Sequence, residues 1–143
     1  MSKEIDSARE QIDAAWLRSD ADGITRHLAD DAILMPPNEP KQVGREAINE
    51  WLRGLFQHYA MTELAMPERE LTVSGDYAFE RSVYEWLLVP KGEGQSIRDR
   101  ANWVGVWRRA ANGRWSEICG IWNSALPATM TSQPETVDAA GST

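Results

Sequence analysis

The sequence predicts an α+β domain, with helices packed on a strongly bent antiparallel sheet. Three observations carry this. Apolar residues recur at three- and four-residue spacing through the first part of the chain. After about residue 61 the period changes to two. Asn112-Gly113 between two apolar runs then marks a hairpin. Segregated helices and strands point to α+β. The 143 residues fit one domain with one core, expected over residues 1–125, and a Pro/Ala/Thr/Ser/Gly-rich tail over 126–143.

The elements follow in order. Ile5, Ala8, Ile12, Ala15 and Trp16 place one apolar face on a helix over residues 3–19. Asp20 or Asp22 caps a shorter second helix carrying Ile24 and Leu28, which Asp30-Asp31 ends. Ala32 to Met35 is a strand stopped by Pro36-Pro37. Gly44-Arg45-Glu46 opens a third helix with Ile48, Trp51, Leu52, Leu55, Phe56 and Tyr59 as its stripe. Leu71 to Val73 is a strand ending at Ser74-Gly75-Asp76. Long strands are expected over 77–89 and 97–109, and the hairpin partner over Trp115 to Asn123. Both faces of 77–89 carry apolar residues, so both are expected to be covered in part. That suggests a homodimer through the face bearing Tyr84 and Trp86.

Composition narrows the function. The chain is 42% hydrophobic and 26% charged, as in globular proteins. Asp plus Glu number 22 against 15 Lys plus Arg, a formal charge of −7 that disfavours nucleic acid. No run approaches the roughly 20 apolar residues of a membrane span. No signal peptide is expected and a cytoplasmic setting fits. Cys119 is the sole cysteine, so no intrachain disulfide can form. No phosphate or dinucleotide glycine fingerprint and no Cys/His cluster occurs, so neither a cofactor nor a metal is expected. His27 and His58 read as surface or helix-end residues. Seven residues are Trp, against two Phe and three Tyr.

Several segments, taken in order, carry a family pattern. They are Leu28-Ala29-Asp30-Asp31-Ala32, Met35-Pro36-Pro37, Gly44-Arg45-Glu46-Ala47-Ile48, Gly75-Asp76-Tyr77-Ala78-Phe79-Glu80, Trp107-Arg108-Arg109, Asn112-Gly113-Arg114-Trp115 and Ile121-Trp122-Asn123-Ser124. Over residues 3–125 the chain resembles the nuclear transport factor 2-like superfamily, in its SnoaL-like, ketosteroid-isomerase-like branch. The resemblance implies a cone-shaped roll: a curved sheet wraps a long helix and leaves an apolar pocket open at one end. The branch includes isomerases, cyclases, dehydratases and association modules, so fold does not fix function. Where ketosteroid isomerases hold their base this chain has Pro36. Their tyrosine donor falls near Ile12 and their protonated aspartate at Gly105, so that catalytic set is absent.

The same resemblance aims Phe79, Arg81, Val83 and Glu85 into the cone, with Trp103, Gly105 and Trp107 from the next strand. Ile118, Gly120 and Trp122 come from the last strand, Trp16 and Met35 from the helix side, and Asn123 stands at the mouth. Glu85 is then the candidate general base and Arg81 the stabiliser of developing negative charge. The tryptophans would hold a small apolar ligand. Each tryptophan also reads as core, and Arg81 and Glu85 as an ion pair with each other or with Arg100. Gly105 and Gly120 either make room for indoles or leave a cavity. Two functions compete: a small-molecule binding protein or isomerase/cyclase/lyase-type enzyme, and a non-catalytic dimeric association module.

Overall fold

The computed structural model describes residues 2–126; the expected tail, Leu126 apart, lies outside the described residues. Helices α1 (Ser2–Leu17) and α2 (Ala21–Thr25) come first, then strands β1 (Leu28–Met35) and β2 (Gln42–Val43). Helix α3 (Arg45–His58) follows. Four long strands complete the fold: β3 (Tyr59–Ser74), β4 (Tyr77–Pro90), β5 (Ile97–Arg109) and β6 (Trp115–Ser124). They form one curled sheet in the order β2-β1-β6-β5-β4-β3. All its neighbours are antiparallel except β1 and β6, which run parallel. Among the described residues no helix is long and apolar enough to cross a membrane.

Local chemistry explains the elements. Ile5, Ala8, Ile12 and Ala15 are buried on one face of α1. The Asp20 carboxylate accepts from the Gly23 amide at 2.9 Å and starts α2. Helix α3 begins after Gly44, whose φ of +96° suits glycine, and buries Ile48, Leu52 and Phe56. Gly113 turns the β5–β6 hairpin at φ +89°.

Two element boundaries depart from expectation. The second helix stops at Thr25, and Leu28 to Asp31 are strand. The acidic doublet reads as a turn, yet in β1 each acid points outward to an arginine: Asp30 to Arg45 at 2.5 Å and Asp31 to Arg108 at 3.0 Å. Strand β3 begins at Tyr59, well before Leu71. It runs through Pro67, at a bulge between Ala65 and Glu68 on the sheet edge, where a missing N–H breaks no ladder on the open side.

Two alternations also shift. On β4 the inward residues are Ala78, Glu80, Ser82 and Tyr84, all buried, while Phe79 is 50% exposed. The cause is register: Ala78, Glu80 and Ser82 lie opposite the inward Trp107, Gly105 and Trp103. On β6 a bulge at Ile118 breaks the period. Gly120 pairs with Gly105 and Cys119 with Val106, but Trp107 pairs with Glu117. Glu117 therefore turns inward beside Trp115. Trp107, Trp115, Ala78, Ile5 and Ile12 belong to the solid core.

Candidate functional site

Beyond that core the sheet and helices enclose a cavity of about 250 Å³. Five of the seven tryptophans line it: Trp16 from α1, Trp51 from α3, Trp86 from β4, Trp103 from β5 and Trp122 from β6. Trp122 is the hub. Its ring centroid lies 6.2 Å from Trp51, 6.5 Å from Trp86 and 5.8 Å from Trp103, the first two edge to face. Leu34, Pro36, Leu52, Met61 and Leu64 add aliphatic wall. The pair Gly105–Gly120 makes this possible. A Cβ on Gly120 would fall on the six-membered ring of Trp103, so the indole lies across the glycine.

A buried polar network closes the inner end. Arg9, on the inward face of α1, donates to Glu80 at 2.7 Å and to Glu117 at 2.9 Å. Its guanidinium also lies 5.5 Å from the ring centroids of both Trp103 and Trp107. Arg69 donates to Glu80 at 2.6 Å, and the Trp107 indole N–H donates to it at 3.2 Å. Tyr84 donates its hydroxyl to Asp13 at 3.1 Å, and Asp13 stands 4.0 Å from Arg9. Arg9, Asp13, Tyr84 and Glu117 all face the cavity.

The environment divides the three carboxyl groups. Burial alone would raise Glu80, but the Arg9 charge and the bonds from Arg9, Arg69 and Trp107 hold it down at about 2. Burial raises Glu117 to about 7; Arg9 opposes and the Glu80 charge reinforces the rise. Glu80 thus carries the charge that neutralises Arg9, and Glu117 tends to keep its proton. Burial lifts Asp13 to about 6, against the pull of Arg9 and the Tyr84 hydrogen bond. Burial also holds the Tyr84 phenol well above its ordinary range, so it remains a donor. A carboxylate poised near neutrality beside a fixed phenol is an arrangement suited to moving a proton.

Of the residues expected to form the site, Trp16, Trp103 and Trp122 do line the cavity. Glu85 and Arg81 do not. Both project from the outer face, Glu85 pairing with Arg100 and Arg81 with Glu70. Phe79 and Val83 share that face because β4 is turned over relative to the expectation. Met35 lies opposite Ile121, while its neighbours Leu34 and Pro36 face the cavity. Trp107 is fully buried in the core, Ile118 is the bulge residue, and the exposed Asn123 bonds Asn102 at 3.2 Å. Tyr84 and Trp86, expected on an outer dimer face, are cavity residues.

Arg9, Asp13 and Glu117 went unread. Arg9 and Asp13 sit in a helix face that is otherwise apolar, and Arg9 follows Ala8 one position from the stripe. That was the available signal. Glu117 had none, because its inward turn depends on the bulge at Ile118. Among the described residues no group of three or more His, Cys, Asp or Glu could hold a metal ion.

The fold and this cavity can be set beside known proteins. The SnoaL-like domain family matches residues 8–118. A ketosteroid isomerase-like protein from Erwinia carotovora atroseptica SCRI1043 superposes with a TM-score of 0.75 at 24% identity, covering 87% of this chain and 96% of that one. A nuclear transport factor 2-like superfamily protein from Salmonella enterica superposes at 0.77 with 14% identity, covering 92% and 96%. A protein provisionally named scytalone dehydratase, from Novosphingobium aromaticivorans DSM 12444, gives 0.77 at 13% identity, covering 87% and 83%. These likenesses show the fold alone. No curated protein matches the chain in sequence. With the family pattern spanning residues 8–118 of the curled sheet and its helices, the chain belongs to the SnoaL-like domain family.

Proposed function

We propose that the protein binds a small, ring-bearing apolar molecule in the five-tryptophan cavity and moves a proton on it, with Asp13 as base and Tyr84 as the donor that orients it. The observation behind this is the Asp13–Tyr84 pair facing a cavity whose walls are mainly apolar side chains. A cavity of about 150 Å³ accepts benzene, so 250 Å³ suits one or two rings. Water excluded by the indoles strengthens every charge at the inner end. The resemblance to isomerase-like and dehydratase-like folds supports the same class of chemistry without naming a substrate. The test is exchange of the acidic C–H protons of 2-tetralone in deuterated buffer, followed by NMR. Acceleration lost in Asp13→Asn is the expected result. Binding without acceleration would leave a ligand-binding protein and remove the base.

We propose further that the outer sheet face seats a second copy of the chain. Phe79, Val104 and Ile121 are exposed there at 50%, 45% and 43%. Val104 lies opposite Ile121, and Ile121 opposite Met35, which makes an apolar band across three strands. The pairs Arg81–Glu70 and Arg108–Asp31 supply both signs of charge on the same face, as a self-complementary two-fold contact requires. Sedimentation should show a dimer that Val104→Lys dissociates; a monomer at high micromolar concentration would refute it.

A further inference from the structure

We propose that the cavity selects cationic ligands, taking a ring-bearing ammonium compound in preference to its neutral and anionic counterparts. This rests on the cavity being the ligand site and names the chemical class it favours.

The charge around the cavity is one-sided. Among the described lining residues the one cation is Arg9, and it is already engaged by Glu80 and Glu117. Against it stand three further acidic side chains, Asp13 at the inner end and Glu39 and Asp99 towards the opening. The last two are held in place by neutral donors rather than by cations. Glu39 accepts from the Trp51 indole at 2.9 Å. Asp99 accepts from the Ser124 hydroxyl at 2.6 Å and the Arg100 amide at 2.8 Å, while the Arg100 guanidinium turns to Glu85. Their charges are therefore oriented but not neutralised.

The walls act in the same direction. An indole face attracts a cation, most strongly where water is excluded. The protein already uses this, holding the Arg9 guanidinium over Trp103 and Trp107. A ligand carboxylate or phosphate would meet acids at both ends and find no free guanidinium or ammonium. A ligand ammonium would meet acids and ring faces. The net charge of −7 adds a long-range field of the same sign.

Isothermal titration calorimetry at pH 7 with three matched probes tests this: 2-naphthylmethylamine, 2-naphthylmethanol and 2-naphthoate. The amine should bind about tenfold more tightly than the alcohol, and the naphthoate least. Asp99→Asn and Glu39→Gln keep the hydrogen-bond acceptors and should each narrow the ratio of amine to alcohol affinity several-fold. Naphthoate binding as tightly as the amine would overturn the selectivity while leaving the cavity as a ligand site. An amine preference unchanged in both variants would also overturn it, since the carboxylates would not be its source. Failure of all three probes to bind would overturn the ligand site itself.

Discussion

The Glu117 carboxyl occupies space that Gly105 leaves open: its Oε2 lies 2.5 Å from where a Cβ on Gly105 would stand. The two residues sit on adjacent strands, and the bulge at Ile118 turns Glu117 towards that opening.

Gly105→Ala should therefore be costly. The added methyl meets Glu117 Oε2 at 2.5 Å and Trp103 Nε1 at 2.9 Å, both within packed surroundings. A loss of about 1–3 kcal/mol is expected, read as a lower midpoint in urea unfolding. An unchanged midpoint would mean that the Glu117 carboxyl lies elsewhere.

The two carboxylates around Arg9 should respond differently to neutral isosteres. Glu80→Gln removes the charge that holds Arg9 and Arg69 and should destabilise by about 3–5 kcal/mol. Glu117→Gln mimics the protonated acid and sheds the cost of a buried charge there, so it should leave stability unchanged or raised at pH 7. Equal losses would contradict the assignment of charge to Glu80.

Stability should depend on pH with two opposing slopes. Glu80, held at about 2 against an ordinary 4.5, contributes stability above pH 4.5 that is lost as pH falls towards 2. Asp13 and Glu117, raised to about 6 and about 7, bind their protons more tightly in the folded state. Stability therefore declines as pH rises from about 4 through 7. Arg9, Tyr84, Arg69 and Glu80 all act on Asp13, so its share is measured by difference. Asp13→Asn should flatten the decline between pH 4 and 6 by an amount on the order of 1–3 kcal/mol in urea titrations. A decline of unchanged slope would place the titration elsewhere.

Substitutions on the outer face should spare the cavity. Arg81→Ala and Glu85→Ala remove exposed ion pairs worth about 0–1 kcal/mol. Affinity for 2-naphthylmethanol should stay within about twofold in both. Trp122→Ala opens the hub of the aromatic wall and should weaken it by about tenfold or more.

Much of the fold was legible because periodicity is local. The face of α1, the stripe of α3, the span of β5 and the Asn112-Gly113 turn all follow from neighbouring residues. The convergence of Trp103 and Trp122 was legible for the same reason. The chemistry at the inner end was not. Whether β4 turns Glu85 or Glu80 inward is set by its pairing with β5, and both faces carry apolar residues, so alternation alone left the choice open. Glu80 is held inward by Arg9 and Arg69, which lie 71 and 11 residues away in sequence. Glu117 depended on a bulge that no residue type announces.

Five of the seven tryptophans wall one cavity, and their indole N–H signals report directly on whether a ligand enters it. In a ¹⁵N–¹H NMR titration with 2-naphthylmethanol, the signals of Trp16, Trp51, Trp86, Trp103 and Trp122 should shift together along one binding curve. Those of Trp107 and Trp115, packed in the core, should move little. Saturating shifts confined to Trp107 and Trp115, or no shift in any of the seven, would mean that the five-tryptophan cavity is not the ligand site.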